Sequence, residues 1–335
     1  MLAIVAIVLV GQTASAQTQA SYVALVEQYA AGDASGAVQL LATGTPRVSG
    51  EIVERMRQRP DRDVRSAVML HTELAAVWLV NGRTPRAIVQ IDNAERLLRI
   101  LTADATRRGR SKAFAIQWYA FTTSLYVAQG LFEVASRTVR DGLTDFPGAP
   151  ELYVADGTVH EERASFEGDG NALTADGNPT SNQSQRLLEA ASAEYQRALT
   201  ADGDLAAGHL HRGWVLFRLG DRRAAASLDL ALAHATDDRV RYLAHLFRGA
   251  VAEASKDLER ARSEFEAAKG VGPYQTAYIA LGRVEESLGH GDRARTLAAE
   301  YAQLESTRED PWWDYRIGGG ITGALDWLRH EARRP

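Results

Sequence analysis

At 335 residues, 45% of them hydrophobic and 24% charged, the chain has the composition of a soluble folded protein and the length for several cores or one elongated body. A formal net charge of -5, with only short arginine runs at Arg107, Arg108 and Arg110 and at Arg329, Arg333 and Arg334, argues against nucleic acid as a ligand, because a phosphate backbone is met by a basic face. With no cysteine, disulfides, thiolate metal sites and lipid attachment at a lipobox are excluded.

The first residues carry an apolar run from Leu2 to Val10, then Gly11, Gln12 and Thr13, then Ala14-Ser15-Ala16 ahead of Gln17. An apolar core followed by a small-residue cleavage site predicts a secretory signal peptide over 1–16, although no Lys or Arg precedes the run. The expected location is periplasmic or extracellular. The alternative, an anchoring helix, falls short of the roughly 18 apolar residues a bilayer demands.

Residues 17–63 read as an irregular helical start. Two short helices flank Ala31-Gly32-Asp33 between Tyr22 and Leu41, and Thr45-Pro46 and Arg59-Pro60-Asp61 mark loops. A strongly periodic helix is predicted from about Val64 to Val80, a turn at Asn81-Gly82, and a second helix from Thr84 to about Leu101 with Pro85 in its first turn, where a missing N–H costs least. The run Arg107 to Arg110 is placed in a segment joining helices.

A small residue followed twelve positions later by alanine recurs at intervals near 34 residues: Ala75/Ala87, Thr123/Ala135, Gly213/Ala225, Gly249/Ala261 and Gly282/Ala294. Gly157/Ala191 joins the series if 22 residues are inserted in its hairpin turn. Such a period predicts stacked helical hairpins whose axes approach closely where small side chains line the crossing, so these residues are expected to be buried contacts. From Phe114 onward Trp118, Tyr119, Thr123, Tyr126, Gly130, Ala135, Val139, Gly142 and Pro147 fall at the spacing of helix, tight turn and helix. Similar signals occupy 205–237, 239–273 and 275–305, with Lys256 standing where a turn glycine is expected.

In this pattern the chain resembles the tetratricopeptide repeat family. The resemblance implies an all-α, right-handed solenoid over 64–308 and a concave groove, lined by the first helix of each hairpin, that receives a protein or peptide partner. Groove-facing spacing selects Gln117, Ala120 and Ser124, then Leu210, Trp214, Phe217 and Arg218, then Leu246 and Glu253. Trp214, Phe217 and Arg218 are the most suggestive, since aromatics and arginine dominate interface energetics, although Trp214 and Phe217 packed between neighbouring helices is the competing reading. The Lys and Asn set that clamps a terminal carboxylate in one subfamily is missing.

Residues 167–184 hold three Gly, three Asn, two Asp and Pro179 with a single large aliphatic, Leu173, which predicts a surface loop. Its acids do not follow a calcium-loop template. The closing segment, 309–335, begins with Asp310-Pro311 as helix cap and first helical position and contains Trp312, Trp313 and Tyr315. A triple glycine then precedes a last helix from Ile321 to about Arg333. Because solenoids need an end cap, Trp312, Trp313, Tyr315, Trp327 and Leu328 are expected to cover the edge of the last repeat, with a partner-binding epitope at Trp312 and Trp313 as the alternative.

Catalytic and metal motifs are lacking. His160-Glu161 starts like a zinc-protease helix, but Ala164 stands where the second histidine belongs. His209 and His211 point in different directions on one helix, His71 and His245 suit packing positions, and the pairs Glu161-Glu162 and Glu285-Glu286 suit a solvated face. No phosphate loop or nucleophile elbow occurs. The sequence therefore predicts a non-enzymatic scaffold without cofactor or metal. A structural subunit of an envelope assembly, or an enzyme site built on the irregular start and the insertion, are the alternatives it leaves open.

Overall fold

The computed structural model describes residues 19–43, 48–167, 182–303, 310–316 and 321–334. The signal-peptide segment and most of the 167–184 insertion lie outside the described residues. Among the described residues there are seventeen helices and no strand: α1 (Gln19–Ala30), α2 (Ala34–Thr43), α3 (Gly50–Arg57), α4 (Asp61–Val80), α5 (Thr84–Ala103), α6 (Ala105–Val127), α7 (Phe132–Asp145), α8 (Pro150–Glu167), α9 (Asn182–Ala201), α10 (Ala206–Arg218), α11 (Ala224–His234), α12 (Asp238–Ala254), α13 (Leu258–Val271), α14 (Gln275–Ser287), α15 (Gly291–Ala302), α16 (Pro311–Arg316) and α17 (Ile321–Arg333). Helix α3, capped by Ser49 accepting from the Ile52 N–H, has no counterpart in the sequence reading. The arginine run also differs from expectation: it lies in α6, where Asp104 accepts from the Arg107 N–H. The insertion is shorter than its predicted bounds, since α8 reaches Glu167 and α9 already begins at Asn182.

The chain divides into two compact units, one of Met1–Leu125 with Ile321–Pro335 and one of Tyr126–Gly320. In the first, α4 is the hub, packed by α1, α2, α5 and α17. Two buried polar side chains on α4, His71 and Glu73, are fully partnered. Tyr22 and Gln90 hold opposite nitrogens of His71 at 3.0 and 2.6 Å, and burial pushes that imidazole down to about 4, so it is neutral. Since the Gln90 carbonyl accepts from Nδ1, Nε2 is the acceptor for the Tyr22 hydroxyl. Glu73 takes a bidentate pair from Arg329 of α17 at 3.0 and 2.8 Å and the hydroxyl of Tyr29 of α1.

This placement of α17 corrects the expectation of a cap over the last repeat. Leu328 is buried, but the helix to which it belongs packs on α4, with Arg65 and Ser66 donating to carbonyls of Glu331 and Ala332 at 3.1 and 3.2 Å. Trp327 remains 39% exposed. The physical reason is polar matching: Glu73 is buried on α4 and requires a cation, which Arg329 supplies.

In the second unit, hairpins α8–α9, α10–α11, α12–α13 and α14–α15 stack in order, each second helix against the next first helix. First helices also touch one another, α8 to α10 and α10 to α12, and form a continuous inner layer. The hairpin turns share one hydrogen-bond signature, seen at Gly220, Lys256 and Gly289, where the turn N–H reaches three residues back and the next N–H five back. That signature needs a left-handed residue. Gly82, Gly130, Gly220 and Gly289 supply it with φ between 67 and 82°, and Lys256 adopts φ 63° at the matching position, at a cost of roughly 1 to 2 kcal/mol for its Cβ.

The small-residue crossings are tight at three places. A Cβ on Gly157 would sit 2.4 Å from the Tyr195 ring, on Gly213 2.7 Å from Leu228, and on Gly249 2.4 Å from the Phe265 ring. Ala75, Ala87, Thr123, Ala135, Ala191 and Ala261 are buried and Ala294 nearly so. Two positions depart from the pattern: Gly282 meets nothing within 4 Å, and Ala225 is only half-buried because its neighbour Ala224 takes the contact. These differences give a paired expectation. Gly249→Ala destabilises the protein by about 1 to 3 kcal/mol through overpacking against Phe265. Gly282→Ala, free of contact, stabilises it by up to about 1 kcal/mol through helix propensity. Urea melts of the two variants and wild type check both signs.

Candidate functional site: an inner face that holds the chain's own short helix

The short helix α16 leaves the last hairpin and lies on α12 of the inner layer. Asp310 begins it, accepting at Oδ1 from the Trp312 N–H at 2.9 Å and at Oδ2 from the Thr276 N–H at the start of α14 at 2.7 Å, with the Tyr242 hydroxyl at 3.3 Å. Pro311 at the first helical position has no N–H to orphan, as expected of it. Trp312 is buried edge-on to Trp214 and Phe247, ring centres 5.8 and 5.7 Å apart, while Asp314 pairs with Arg239 at 3.0 Å.

Tyr315, three residues on and so on the same helical face, reaches deeper. Its ring stacks on His211 of α10 at 4.7 Å, and its hydroxyl donates to Glu161 Oε1 of α8 at 2.6 Å. The other oxygen of Glu161 accepts from Tyr195 of α9 at 2.5 Å and from His211 Nδ1 at 3.2 Å. Glu161 is 1% exposed. Burial would raise its pKa, but the hydrogen bonds from His211, Tyr195 and Tyr315 outweigh that and hold it below the ordinary carboxyl range. Burial first, and the Glu161 charge second, hold both phenols well above their usual range, so each stays a donor. Glu162 beside it is pushed up to about 8 by burial and by the charge on Glu161, eased by Arg316 and Arg218. The two neighbouring carboxyls are thus pushed in opposite directions, Glu161 down and Glu162 up. This reverses the expectation of a solvated face for Glu161-Glu162, and Glu285 is likewise buried, 2.7 Å from His290. The three groups around Glu161, namely Tyr195, His211 and Tyr315, are buried and donate to one carboxylate, so the arrangement anchors a segment.

The residues selected from sequence scatter. Leu210 and Trp214 are buried in the inner layer, Trp214 at 1% exposure stacked on Phe247 at 4.3 Å and covered by Trp312. Phe217 touches Trp214 but also lines a separate cavity of about 590 Å³ at the hairpin turns with Arg248 and Arg260. Arg218 is buried and donates to Ser165 of α8 at 2.9 Å. Gln117 and Ser124 are half-buried on α6 and belong to the first unit. Trp312 is buried in the groove, not at the repeat edge, whereas Trp313 is 55% exposed and covers nothing. Sequence reasoning missed Glu161, Tyr195 and His211. The signal available was that each sits on an inward position of its hairpin, Tyr195 four residues after the crossing alanine Ala191.

A second concave region lies in the first unit, a cavity of about 1070 Å³ lined by Arg59, Arg62, Arg65, Arg107, Arg110 and Arg334 with Asp61 and Glu331. Its guanidiniums are engaged internally: Arg107 and Arg110 clamp Asp61 at 2.6 and 2.8 Å, Arg59 and Arg62 meet Asp63 at 2.7 and 3.0 Å, and Arg65 donates to carbonyls of Glu331 and Arg334. It ties helix ends together. Among the described residues no group of three or more His, Asp or Glu is placed to hold a metal, and no helix is long and apolar enough to cross a membrane.

No family model matches the chain, and no curated protein does. Among solved structures it is similar to a tetratricopeptide repeat protein from Parabacteroides merdae, with TM-score 0.50 and 14% identity over 94% of this chain and 100% of that one. It is also similar to a thermophilic tetratricopeptide repeat protein from Thermus thermophilus (TM-score 0.43, 18% identity, 70% of this chain and 100% of that one). A third is MamA from Desulfovibrio magneticus, with TM-score 0.42 and 16% identity over 58% of this chain and 98% of that one. With the stacked hairpins described above, the fold is of the tetratricopeptide repeat type.

If Glu161 anchors the groove, removing one donor has a defined pH signature. Tyr315→Phe lowers stability at neutral pH by about 1 to 3 kcal/mol, because a buried carboxylate oxygen loses its partner. Glu161 has a depressed pKa in the folded state, so its contribution is present above the unfolded value of 4.5 and is lost as pH falls below it. The gap between wild type and variant is therefore full at neutral pH and narrows in acid, as the pH falls through the folded-state pKa values of Glu161 in the two proteins. Urea melts across pH 3 to 8 measure it, and a gap independent of pH contradicts the assignment.

Proposed function

We propose that the protein is an exported, non-enzymatic scaffold that holds a helical turn of a protein partner against the inner layer formed by α8, α10 and α12. One observation carries this reading: a six-residue helix already lies on that layer, with Trp312 and Tyr315 seated in it through ring contacts and a hydrogen bond. The layer combines aromatic faces with a few fixed polar groups, the composition that makes an interface core selective. The tetratricopeptide repeat fold agrees with a role in protein interaction. Export rests on the sequence of residues 2–16.

The test uses the full chain. Photo-cross-linkable helical peptides selected for binding to the purified protein are expected to attach to α8, α10, α12 or α14, as read by mass spectrometry. Attachment confined to the second helices of the hairpins overturns the inner-face reading. Intact mass of the protein recovered from its native host is expected to place Gln17 first, and a chain retaining residues 1–16 overturns the export part.

A further inference from the structure

The groove under α16 is chemically incomplete without an occupant. Glu161 Oε1 is buried and its donor in this structure is the Tyr315 hydroxyl. The edge contacts on Trp214 and Phe247 come from Trp312, and the Thr276 N–H at the start of α14 donates to Asp310. Lifting α16 away would leave an ionised carboxylate short of a donor, two large aromatic faces uncovered and a helix-start N–H unpaired, a combination that folded proteins avoid. An occupant must therefore bring three features in register: a carboxylate, an indole-sized ring two residues later, and a phenolic hydroxyl three residues after that.

Resting on the reading of the inner layer as the binding face, we propose that α16 is a resident stand-in for the partner, and that the groove recognises an acidic-capped helical turn of the pattern Asp-x-Trp-x-x-Tyr. Each element of the pattern is read by residues from two helices. Thr276 of α14 and Tyr242 of α12 read the carboxylate, Trp214 of α10 and Phe247 of α12 the indole, Glu161 of α8 and His211 of α10 the tyrosine. Arg239 adds a preference for acid at the residue before the tyrosine, where Asp314 stands at 3.0 Å. Trp313 is 55% exposed and is not part of the pattern. Because α16 is tethered, it competes as a ligand at an effective concentration on the order of millimolar, so a partner displaces it only by matching the pattern more completely or by presenting it multivalently.

The experiment measures fluorescence anisotropy of a labelled nine-residue peptide with the sequence of residues 309–317. It is titrated with the full-length wild-type protein and with the full-length Trp312→Ala/Tyr315→Phe variant, in which the resident helix is weakened. The variant is expected to bind the peptide at least about tenfold more tightly than wild type. Peptides carrying Trp312→Ala or Tyr315→Phe are expected to lose about tenfold or more, and one carrying Trp313→Ala to bind as the parent does. A variant that keeps its helical circular dichroism yet binds no peptide, or binds all four alike, overturns the proposal.

Should the variant fail to fold, wild type titrated with peptide to millimolar concentration supplies the same discrimination. No preference for the parent over the Tyr315→Phe peptide there overturns it equally. Selected peptides that cross-link to the inner layer and are not displaced by the 309–317 peptide sink this inference while leaving the scaffold reading standing. Cross-links absent from the inner layer sink the scaffold reading itself.

Discussion

A carboxylate buried among helices is the constraint on which the second unit turns. An ion removed from water costs several kcal/mol unless its lone pairs are filled, and Glu161 fills them with Tyr195, His211 and Tyr315 drawn from three helices and two repeats. Each of those donors has a fixed ring, so the bonds also set spacing. Tyr195 can reach Glu161 because Gly157, one turn before it on α8, lacks the Cβ that would strike the tyrosine ring. The repeat pattern and the polar anchor are therefore one arrangement, with the glycine that permits the close crossing also permitting the hydrogen bond.

The two units solve the same problem with different chemistry. In the first, Glu73 is the buried acid on α4, and it is met by a guanidinium from α17 and a phenol from α1. In the second, Glu161 is met by the imidazole of His211 and by two phenols, one of them brought by α16. Both cases place a late segment of the chain over an acid on an early helix, α17 on Glu73 and α16 on Glu161.

The sequence made the local structure legible because hairpin geometry is written in short-range spacing. The crossings at Gly213, Gly249 and Gly157, the glycine turns, and the Asp310-Pro311 start follow from contacts within a few dozen residues. Lys256 shows the strength of that signal, since the turn keeps its left-handed residue even without glycine. Gly282 shows its limit: spacing places a residue at a crossing but does not say whether a side chain from the partner helix is there. The destinations of α16 and α17 were not legible. Aromatic density at Trp312 and Tyr315 announced burial, but what buries them is 60 to 155 positions away, and pattern within a window is blind to that. The same blindness grouped Trp214, Phe217 and Arg218 as one cluster, whereas within little more than one turn of α10 they are sent to Trp312, to a separate cavity and to Ser165.

The seating of α17 on α4 sets the order in which the molecule can be completed. Stacked hairpins mature from neighbour to neighbour, each closing a loop of a few dozen residues at small entropic cost. The first unit breaks that habit, since Arg329 and Glu73 are separated by 256 residues of intervening chain. Until α17 arrives, α4 exposes an acid and an apolar flank that belong inside, and this non-local closure is slow beside the local ones. Loss of α17, or a delay in its emergence, is then felt at α4.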